Sequence, residues 1–217
     1  NRYFGIELEI DGAGRDDDYA EELLDIANAH ADLLYIKTDG SLDDGMELVS
    51  HPCTMDYHIN EFPWEDIMHH AVRQGYRSHQ TSTCGLHLHV NRNAFSDNQE
   101  EQDEVISRIL YFVEHHWNEL LKFSRRSEYT MNRWAARYGY EHTPKAIMDK
   151  AKKGGNGRYA AVNLCNYHTV EFRLFRGTLK YNTFIATIQL VNRICDVALY
   201  LSDQEVKAIS CLLYTSD

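Results

Sequence analysis

The sequence contains no Cys-x-x-Cys motif, and its five cysteines are scattered along the chain. An odd number of widely spaced cysteines argues against a disulfide framework and against a thiolate zinc site, and it favours a reducing compartment. No apolar run reaches the length of a membrane span, and no basic segment followed by an apolar one opens the chain. We therefore expect a cytoplasmic protein with no membrane partner.

Positive charge is scarce, since 22 Lys and Arg face 33 Asp and Glu, and the net charge is −11. Neutralisation of phosphates supplies most of the general affinity for nucleic acids, so a chain this acidic is not expected to bind them. The sequence also lacks internal repeats and low-complexity tracts, and it has only three prolines. No Pro-, Gly- or Ser-rich linker marks a boundary between domains.

The periodicity of apolar residues predicts the secondary structure. Strand-like alternation occurs at about 3–11, 45–50, 85–92, 158–164 and 169–176, and helical spacing occurs at about 18–34, 63–74, 98–124, 144–153 and 182–202. Helices between separated strands indicate an α+β or mixed-sheet domain, and the last two strands are predicted to form a hairpin around "CNYHT". The basic, aromatic stretch 125–157 is interpreted as an excursion from the domain rather than part of its core.

Two carboxylates share one face of the first predicted strand. In "RYFGIELEIDG", Glu7 and Glu9 alternate with apolar residues, and residues two apart in a strand lie on the same face, roughly 7 Å apart. Each carboxylate disfavours ionisation of the other. Either that face is solvated and the pair has no function, or a cation lies between the two side chains.

Three further strands repeat this arrangement. "CGLHLHVN" places His87 and His89 on one face, "HTVEFRLFRGT" places Glu171 beside Arg173, and "MELVS" places Glu47 among apolar neighbours. Taken singly, these are typical of a solvated edge strand, a structural ion pair and a rim residue. If the strands are neighbours in one sheet, however, their polar faces form a concave acidic surface with histidine and arginine at its edge.

Divalent cations would relieve the repulsion between carboxylates gathered on such a surface. Oxygen-rich ligation favours Mg²⁺ or Mn²⁺ over zinc. The arginines would then supply positive charge for an anionic ligand that the metals also hold, and phosphate is the natural candidate. The glycine-rich segment "KKGGNGRY" lacks Gly-Lys-Ser/Thr and is not a P-loop.

The ordered set "RYFGIELE", "DGSL…GMELVS", "CGLHLHV" and "RYAAVNL…TVEFRLFRGT" resembles the amidoligases of bacteria and phages. These are small relatives of glutamine synthetase and γ-glutamylcysteine synthetase, in the carboxylate–amine ligase superfamily. The resemblance extends from about residue 2 to residue 200. It implies a single catalytic domain over residues 1–210, like that of glutamine synthetase, with a mostly antiparallel sheet that is backed by helices and presents a concave active-site face.

Residues 211–217 are expected to lie outside this domain. They contain "CLLYTS", which can be encoded by a DNA stretch resembling a transposon end used in preparing sequencing libraries. We therefore interpret 211–217 as a non-native tail.

The resemblance also implies a role for the polar residues of these motifs. The implied metal ligands are Glu7, Glu9, Asp39, Glu47, His87 and Glu171. Of these, Glu47 and Asp39 would join Glu9, and His87 and Glu171 would join Glu7. The implied nucleotide-binding residues are His89, Arg158 and Arg173, and the implied catalytic residues are Arg173, Arg176 and Glu171. Asp39 departs from the superfamily pattern, which usually supplies a glutamate at that place. The implied cofactors are ATP and Mg²⁺ or Mn²⁺.

The implied activity is ATP-dependent formation of an amide bond, of the peptide or γ-glutamyl type, through an acyl phosphate. The partners are a carboxylate and an amine, either small molecules or peptides, and no oligomeric state is predicted. One alternative is a metal-dependent phosphohydrolase, since His-x-His with carboxylates also suits phosphoesterases. The other is a non-catalytic binding protein that retains the fold.

Overall fold

The computed structural model describes residues 1–212 of the 217-residue chain. Within this part the chain has an α+β fold with six strands and nine α-helices, which confirms the predicted class. The strands are β1 (Phe4–Asp11), β2 (Leu34–Lys37), β3 (Gly45–Ser50), β4 (Gly85–Asn91), β5 (Val162–Asn163) and β6 (Thr169–Arg176). They form one antiparallel sheet in the order β2-β3-β1-β4-β6-β5.

Four of the five predicted strands coincide with β1, β3, β4 and β6 to within one residue at each end. The predicted hairpin is confirmed, because Val162 and Asn163 of β5 pair with Phe172 and Glu171 of β6. β5 is shorter than predicted, since the 3₁₀ turn Gly157–Tyr159 occupies the start of the predicted strand.

The helices are α1 (Asp17–Ala27), α2 (Met55–Asn60), α3 (Trp64–Arg73), α4 (Gln99–His115), α5 (Trp117–Ser124), α6 (Glu128–Trp134), α7 (Pro144–Lys152), α8 (Tyr181–Tyr200) and α9 (Asp203–Leu212). Side-chain caps define several of their first turns. Asp16, Asn98 and Thr143 each accept a hydrogen bond from a backbone N–H of the helix that follows, which satisfies donors that have no partner inside the helix.

Two of the predicted helices are wrong: the structure divides one into two helices and ends the other earlier. The segment 98–124 divides at His116, whose backbone (φ −110°, ψ 27°) leaves the helical region and separates α4 from α5. The segment 18–34 stops at Ala27, because the side chain of Asn28 accepts hydrogen bonds from the N–H groups of Leu33 and Leu34 and starts β2 instead. The strand β2 was therefore hidden inside a predicted helix.

The described chain divides into two compact units. The first comprises Asn1–His89 and Phe175–Gln189, and the second comprises Val90–Leu174 and the chain from Leu190 onward. Consequently β4, β6 and α8 contribute residues to both units. The single domain expected from the sequence stays a prediction.

The core of the first unit includes one face of β1, where Ile6, Leu8 and Ile10 are fully buried. Helix α1 packs against α3 and β2, and Trp64 of α3 is buried with its ring stacked on Phe62, the two centroids 4.3 Å apart. Because successive side chains of a strand point to opposite faces, the other face of β1 carries the carboxylates.

The core of the second unit forms around α4, which packs against α5, α7 and α9. Ile106 and Ile109 of α4 are fully buried, and so are Met131 of α6 and Ile147 of α7. The stretch 125–157 therefore supplies core side chains, and its interpretation as an excursion from the domain is wrong. The interpretation followed the many basic residues of this stretch and overlooked its apolar residues, which the structure buries.

No helix among the described residues is long and apolar enough to cross a membrane. The predicted non-native tail, 211–217, lies mostly outside the described residues, which end at 212.

Candidate active site

Glu9 of β1 and Glu47 of β3 lie directly opposite each other in the antiparallel pairing. Residues opposite each other in such a pair point to the same face, with Cβ atoms roughly 5 Å apart. Both glutamates are buried, with 4% and 8% of their surface exposed. On the other side of β3, Lys37 of β2 lies opposite Glu47. A row of three charged side chains therefore crosses three neighbouring strands.

Glu47 is the carboxylate most affected by this arrangement. Burial raises its pKa, and the negative charges of Glu7 and Glu9 raise it further, to about 8, although Lys37 acts in the opposite direction. Glu47 therefore keeps a proton at neutral pH unless another cation takes the place of that proton. Carboxylates that cannot all ionise together are typical of functional sites.

Glu7, on the same face of β1, is held by two histidines of β4. Nδ1 of His87 lies 3.3 Å from Oε2 of Glu7, and Nε2 of His89 lies 3.3 Å from Oε1. Burial opposes ionisation of Glu7, but hydrogen bonds and positive charge from both imidazoles outweigh it and hold the pKa of Glu7 below its usual range. The Glu7 carboxylate therefore stays ionised between the two rings.

Glu9, Glu47 and His87 each offer one ligand atom, and these three atoms lie within 4.8 Å of one another. All three residues are buried. Oε2 of Glu9 also accepts a hydrogen bond from the backbone N–H of Gly85, at the start of β4, which fixes the orientation of that carboxylate. Two carboxylates and one imidazole make a donor set that fits a divalent cation such as Mn²⁺ or Mg²⁺.

Asp39 lies in the loop between β2 and β3, and Arg176 is the last residue of β6; both belong to the first unit. Oδ1 of Asp39 accepts a hydrogen bond from the N–H of Ser41 at 2.7 Å, and the gathered ligand atoms found among the described residues include none from Asp39. The charge of Asp39 nevertheless contributes to the raised pKa of Glu47. Arg176 donates from Nη2 to the carbonyl of Thr81 at 3.1 Å.

In the second unit, Glu171 of β6 is fixed through both carboxylate oxygens. Arg173 donates from Nη1 to Oε1 at 2.5 Å, and Asn163 donates from Nδ2 to Oε2 at 2.6 Å. Glu171 is 4% exposed. The ion pair expected from the alternating strand is therefore present, with an amide partner that the sequence did not reveal.

Tyr159 forms an aromatic platform for two arginines of the second unit. Arg158 donates from Nη2 to the Tyr159 hydroxyl at 2.8 Å, and its guanidinium carbon lies 5.0 Å from the ring centroid. The guanidinium carbon of Arg173 lies 5.9 Å from the same centroid, and the edge of Trp134 faces the ring, with the two centroids 5.8 Å apart. Both guanidinium groups therefore lie within cation–π distance of the same ring.

Residues 31–195 match the sequence model of a family described as "Putative amidoligase enzyme". The chain belongs to this amidoligase family. The family's description makes the chain an enzyme of the amide-forming ligase class. The match covers more than half of the chain and includes the five strands β2 to β6, whereas β1, with Glu7 and Glu9, precedes it. No curated protein gives a significant match to this amidoligase-family chain.

Two residues of the amidoligase-family chain were missed by sequence reasoning. Asp11 is a buried carboxylate at the end of β1, and it continues the two-residue spacing of Glu7 and Glu9, a signal that could have found it. Asn163 lies opposite Glu171 in the hairpin, and no motif pointed to it because an asparagine in a short strand carries no charge pattern.

Proposed function

We propose that the chain is an ATP-dependent carboxylate–amine ligase that forms an amide bond through an acyl phosphate. The observation that carries this proposal is the buried cross-strand pair of Glu9 and Glu47, with a ligand atom of His87 close to both. Such a pair costs free energy unless a cation neutralises it. ATP reaches enzymes with divalent cations, so a cation site in an amidoligase family favours ATP as the driving substrate.

The proposed metal ligands divide between two divalent cations. Glu9 and Glu47 hold one, assisted by Asp39, and Glu7 and His87 hold the other together with Glu171. A ligand atom of His87 lies close to those of Glu9 and Glu47 as well, so this imidazole adjoins both cations. Bound Mg²⁺ or Mn²⁺ would supply positive charge that neutralises the nucleotide phosphates during phosphoryl transfer. The division rests on the resemblance to the glutamine synthetase superfamily and on the facing carboxylates of β1 and β3.

The proposed nucleotide contacts come from cationic side chains. His89 contacts a phosphate group of ATP. The guanidinium groups of Arg173, Arg176 and Arg158 stabilise the charge on the transferring γ-phosphoryl group, since a planar fork of N–H donors matches phosphate oxygens. Glu171 fixes the plane of Arg173 by accepting a hydrogen bond from Nη1.

The proposed reaction has two steps. A carboxylate oxygen of the first substrate attacks the γ-phosphorus of ATP, and ADP leaves with the electrons of the broken P–O bond. The amine of the second substrate then attacks the acyl carbon, phosphate leaves, and the nitrogen loses a proton. The first step is needed because a carboxylate is too poor an electrophile for attack by an amine at neutral pH. No nucleophilic side chain of the enzyme is required.

The test is ADP release by the purified chain with ATP, Mg²⁺ and pools of carboxylates and amines. We expect ADP formation that depends on both a carboxylate and an amine and that is lost in Glu47→Gln. Glu114→Gln is the matched control, because Glu114 is another buried carboxylate, on α4, whose partner, Arg137, lies 2.8 Å away in the second unit.

Two other outcomes would contradict the proposal. Phosphate release from esters without ATP would favour the metal-dependent phosphohydrolase. Tight binding of ATP and Mg²⁺ without ADP formation in the presence of any pool would favour the non-catalytic binding protein.

A further inference from the structure

Asp11, the last residue of β1, has a carboxylate that accepts four hydrogen bonds. Oδ1 accepts from the backbone N–H groups of Gly12, at 2.9 Å, and Asp44, at 2.7 Å. Oδ2 accepts from the N–H of Asp43, at 3.1 Å, and from the hydroxyl of Thr83, at 2.8 Å. Asp11 is 3% exposed. Both oxygens are therefore occupied by donors of the protein, although Asp11 shares its face of β1 with Glu7 and Glu9.

Three of the four donors belong to two loops elsewhere in the chain. Asp43 and Asp44 end the loop that leads into β3, and Thr83 lies in the loop that leads into β4. The first of these strands carries Glu47 and the second carries His87. A single carboxylate at the end of β1 thus joins the segments that precede two strands bearing candidate metal ligands.

The backbone around Asp11 brings β1 and β3 close together at this point. The N–H of Gly12 donates to the carbonyl of Asp44 at 2.9 Å, and Gly45 lies opposite Asp11 in the strand pairing. A Cβ atom at Gly45 would collide with the carbonyl oxygen of Ile10. Glycine is therefore required where β3 begins. The same register places Glu47, two residues later, opposite Glu9.

We propose that Asp11 is a positioning residue of the metal centre, which fixes the loops before β3 and β4 so that Glu47 and His87 meet Glu9. This inference rests on the proposed function, since it concerns the same centre. An ionised carboxylate suits the position, because it accepts at both oxygens, whereas an amide would turn an N–H group toward two donors.

The test is the affinity of the full chain for Mn²⁺ alone, measured by electron paramagnetic resonance of the unbound ion. The temperature is one at which far-UV circular dichroism shows every variant to be fully folded, so that a loss of stability by itself does not change the affinity. Asp11→Asn is expected to weaken Mn²⁺ binding roughly tenfold, the lower end of the effect of losing a group that hydrogen-bonds a ligand directly, because Asp11 acts on the ligands through the two loops.

The matched control is Glu114→Gln. Glu114 is 4% exposed and also anchors a loop through its carboxylate, since it accepts a hydrogen bond from the N–H of Tyr138 at 2.7 Å. It belongs to the second unit. We expect this variant to bind Mn²⁺ as the wild type does.

Substitutions of Thr83 supply a second comparison, which tests the positioning role of Asp11 even if Asp11→Asn does not fold. Thr83→Val removes the hydroxyl donor at nearly constant volume, and Thr83→Ser keeps it. We expect Mn²⁺ binding to weaken roughly three- to tenfold in the valine variant, as the loss of one hydrogen bond predicts, and to be retained in the serine variant.

The outcomes separate this inference from the proposed function. Asp11→Asn with an affinity within about twofold of the wild type, or equal affinities of the two Thr83 variants, would overturn the positioning role and leave the metal centre intact. A wild-type chain that binds no Mn²⁺ would overturn the metal centre, the proposed function and this inference together.

Discussion

Glu47 lies directly opposite Glu9 on one neighbouring strand and directly opposite Lys37 on the other. Burial and the negative charges of the nearby glutamates raise the pKa of Glu47 to about 8, because together they outweigh the opposite effect of Lys37. Two buried carboxylates side by side lower stability unless a proton or another cation neutralises one of them. This arrangement is expected in a site that binds cations and is unfavourable in a purely structural sheet.

Divalent cations are expected to stabilise the wild type more than Glu47→Gln, which loses the cation of Glu9 and Glu47 but keeps Glu7, His87 and Glu171. At a Mn²⁺ concentration of about 100 times the dissociation constant of the site that contains Glu47, that cation should add about 2.7 kcal/mol to the wild-type free energy of unfolding. In EDTA, Glu47→Gln should be at least as stable as the wild type, because the amide is neutral, whereas folding of the wild type at neutral pH requires Glu47, with its raised pKa, to take up a proton. Calorimetric unfolding with EDTA or Mn²⁺ measures both effects, and an equal Mn²⁺ shift in the two proteins would exclude Glu47 as a ligand.

Glu7→Gln is expected to abolish activity while the fold remains intact. A neutral amide cannot accept from both His87 and His89, and it gives no charge to a cation. ADP release should fall roughly 100-fold or more, whereas near-UV circular dichroism should be unchanged. A Glu7→Gln variant with wild-type turnover would remove Glu7 from its proposed role.

Arg173→Lys is expected to lower the rate of ADP release roughly 100- to 1000-fold, as loss of a transition-state donor does. Lysine keeps the charge but not the planar fork that Glu171 orients. Arg133→Lys is the control, because Arg133 is exposed and its guanidinium carbon lies over the ring of Trp134, 4.6 Å from the centroid. Steady-state kinetics measures both, and similar rates for the two variants would argue against a role of Arg173 in phosphoryl transfer.

Two buried histidines should respond differently to replacement by phenylalanine. Nδ1 of His58 accepts from the indole N–H of Trp64 at 3.1 Å, so Nε2 carries the proton and donates to the carbonyl of Phe4 at 2.9 Å. Among the described residues, neither ring nitrogen of His116 has a hydrogen-bond partner.

His58→Phe should therefore lower the free energy of unfolding by about 1–3 kcal/mol, because it leaves two polar groups unsatisfied. His116→Phe should leave it unchanged or raise it. Denaturant titration compares the two variants, and a larger loss for His116→Phe would show that the ring nitrogens of His116 are satisfied in solution.

The stability difference between His116→Phe and the wild type should depend on pH. Burial lowers the pKa of His116 below its ordinary value of 6.5, and the nearby His115 lowers it further, against the effect of Glu119. The unfolded chain therefore takes up this proton at a higher pH than the folded chain does. The contribution of His116 to stability is complete above about pH 6.5 and falls as the pH decreases.

His116→Phe lacks this titration. Its Tm relative to that of the wild type should therefore rise as the pH is lowered from about 7 to about 5. Thermal unfolding over that range measures the difference. A difference that stays constant would contradict the assignment of His116 as a buried, neutral imidazole.

Much of the fold could be predicted because apolar and polar residues alternate along its strands. The alternation holds along β1 and β4 and is broken only near the ends of β3 and β6, at Val49 and Phe175, and turn residues mark the strand ends. β2 could not be predicted, since Asn28 ends α1 through side-chain hydrogen bonds to Leu33 and Leu34, which the spacing of apolar residues does not encode. The spacing also gave no sign of the break at His116, where the backbone leaves the helical region between α4 and α5.

The candidate site was predictable within each strand and not between strands. Two-residue spacing places Glu7 beside Glu9 and His87 beside His89, but the register that sets Glu9 opposite Glu47 depends on the loop before β3 and on Gly45. Spacing along one strand carries no information about that loop. The hydrogen bonds that Asp11 accepts were invisible to the sequence for the same reason.

The central claim is that the carboxylates shared by β1 and β3 hold a divalent cation, and anomalous diffraction tests it most directly. A crystal of the chain grown with Mn²⁺ is measured at the manganese absorption edge. The account predicts an anomalous peak roughly 2.0–2.3 Å from carboxylate oxygens of Glu9 and Glu47. A map in which both side chains are ordered and no peak lies between them would contradict it.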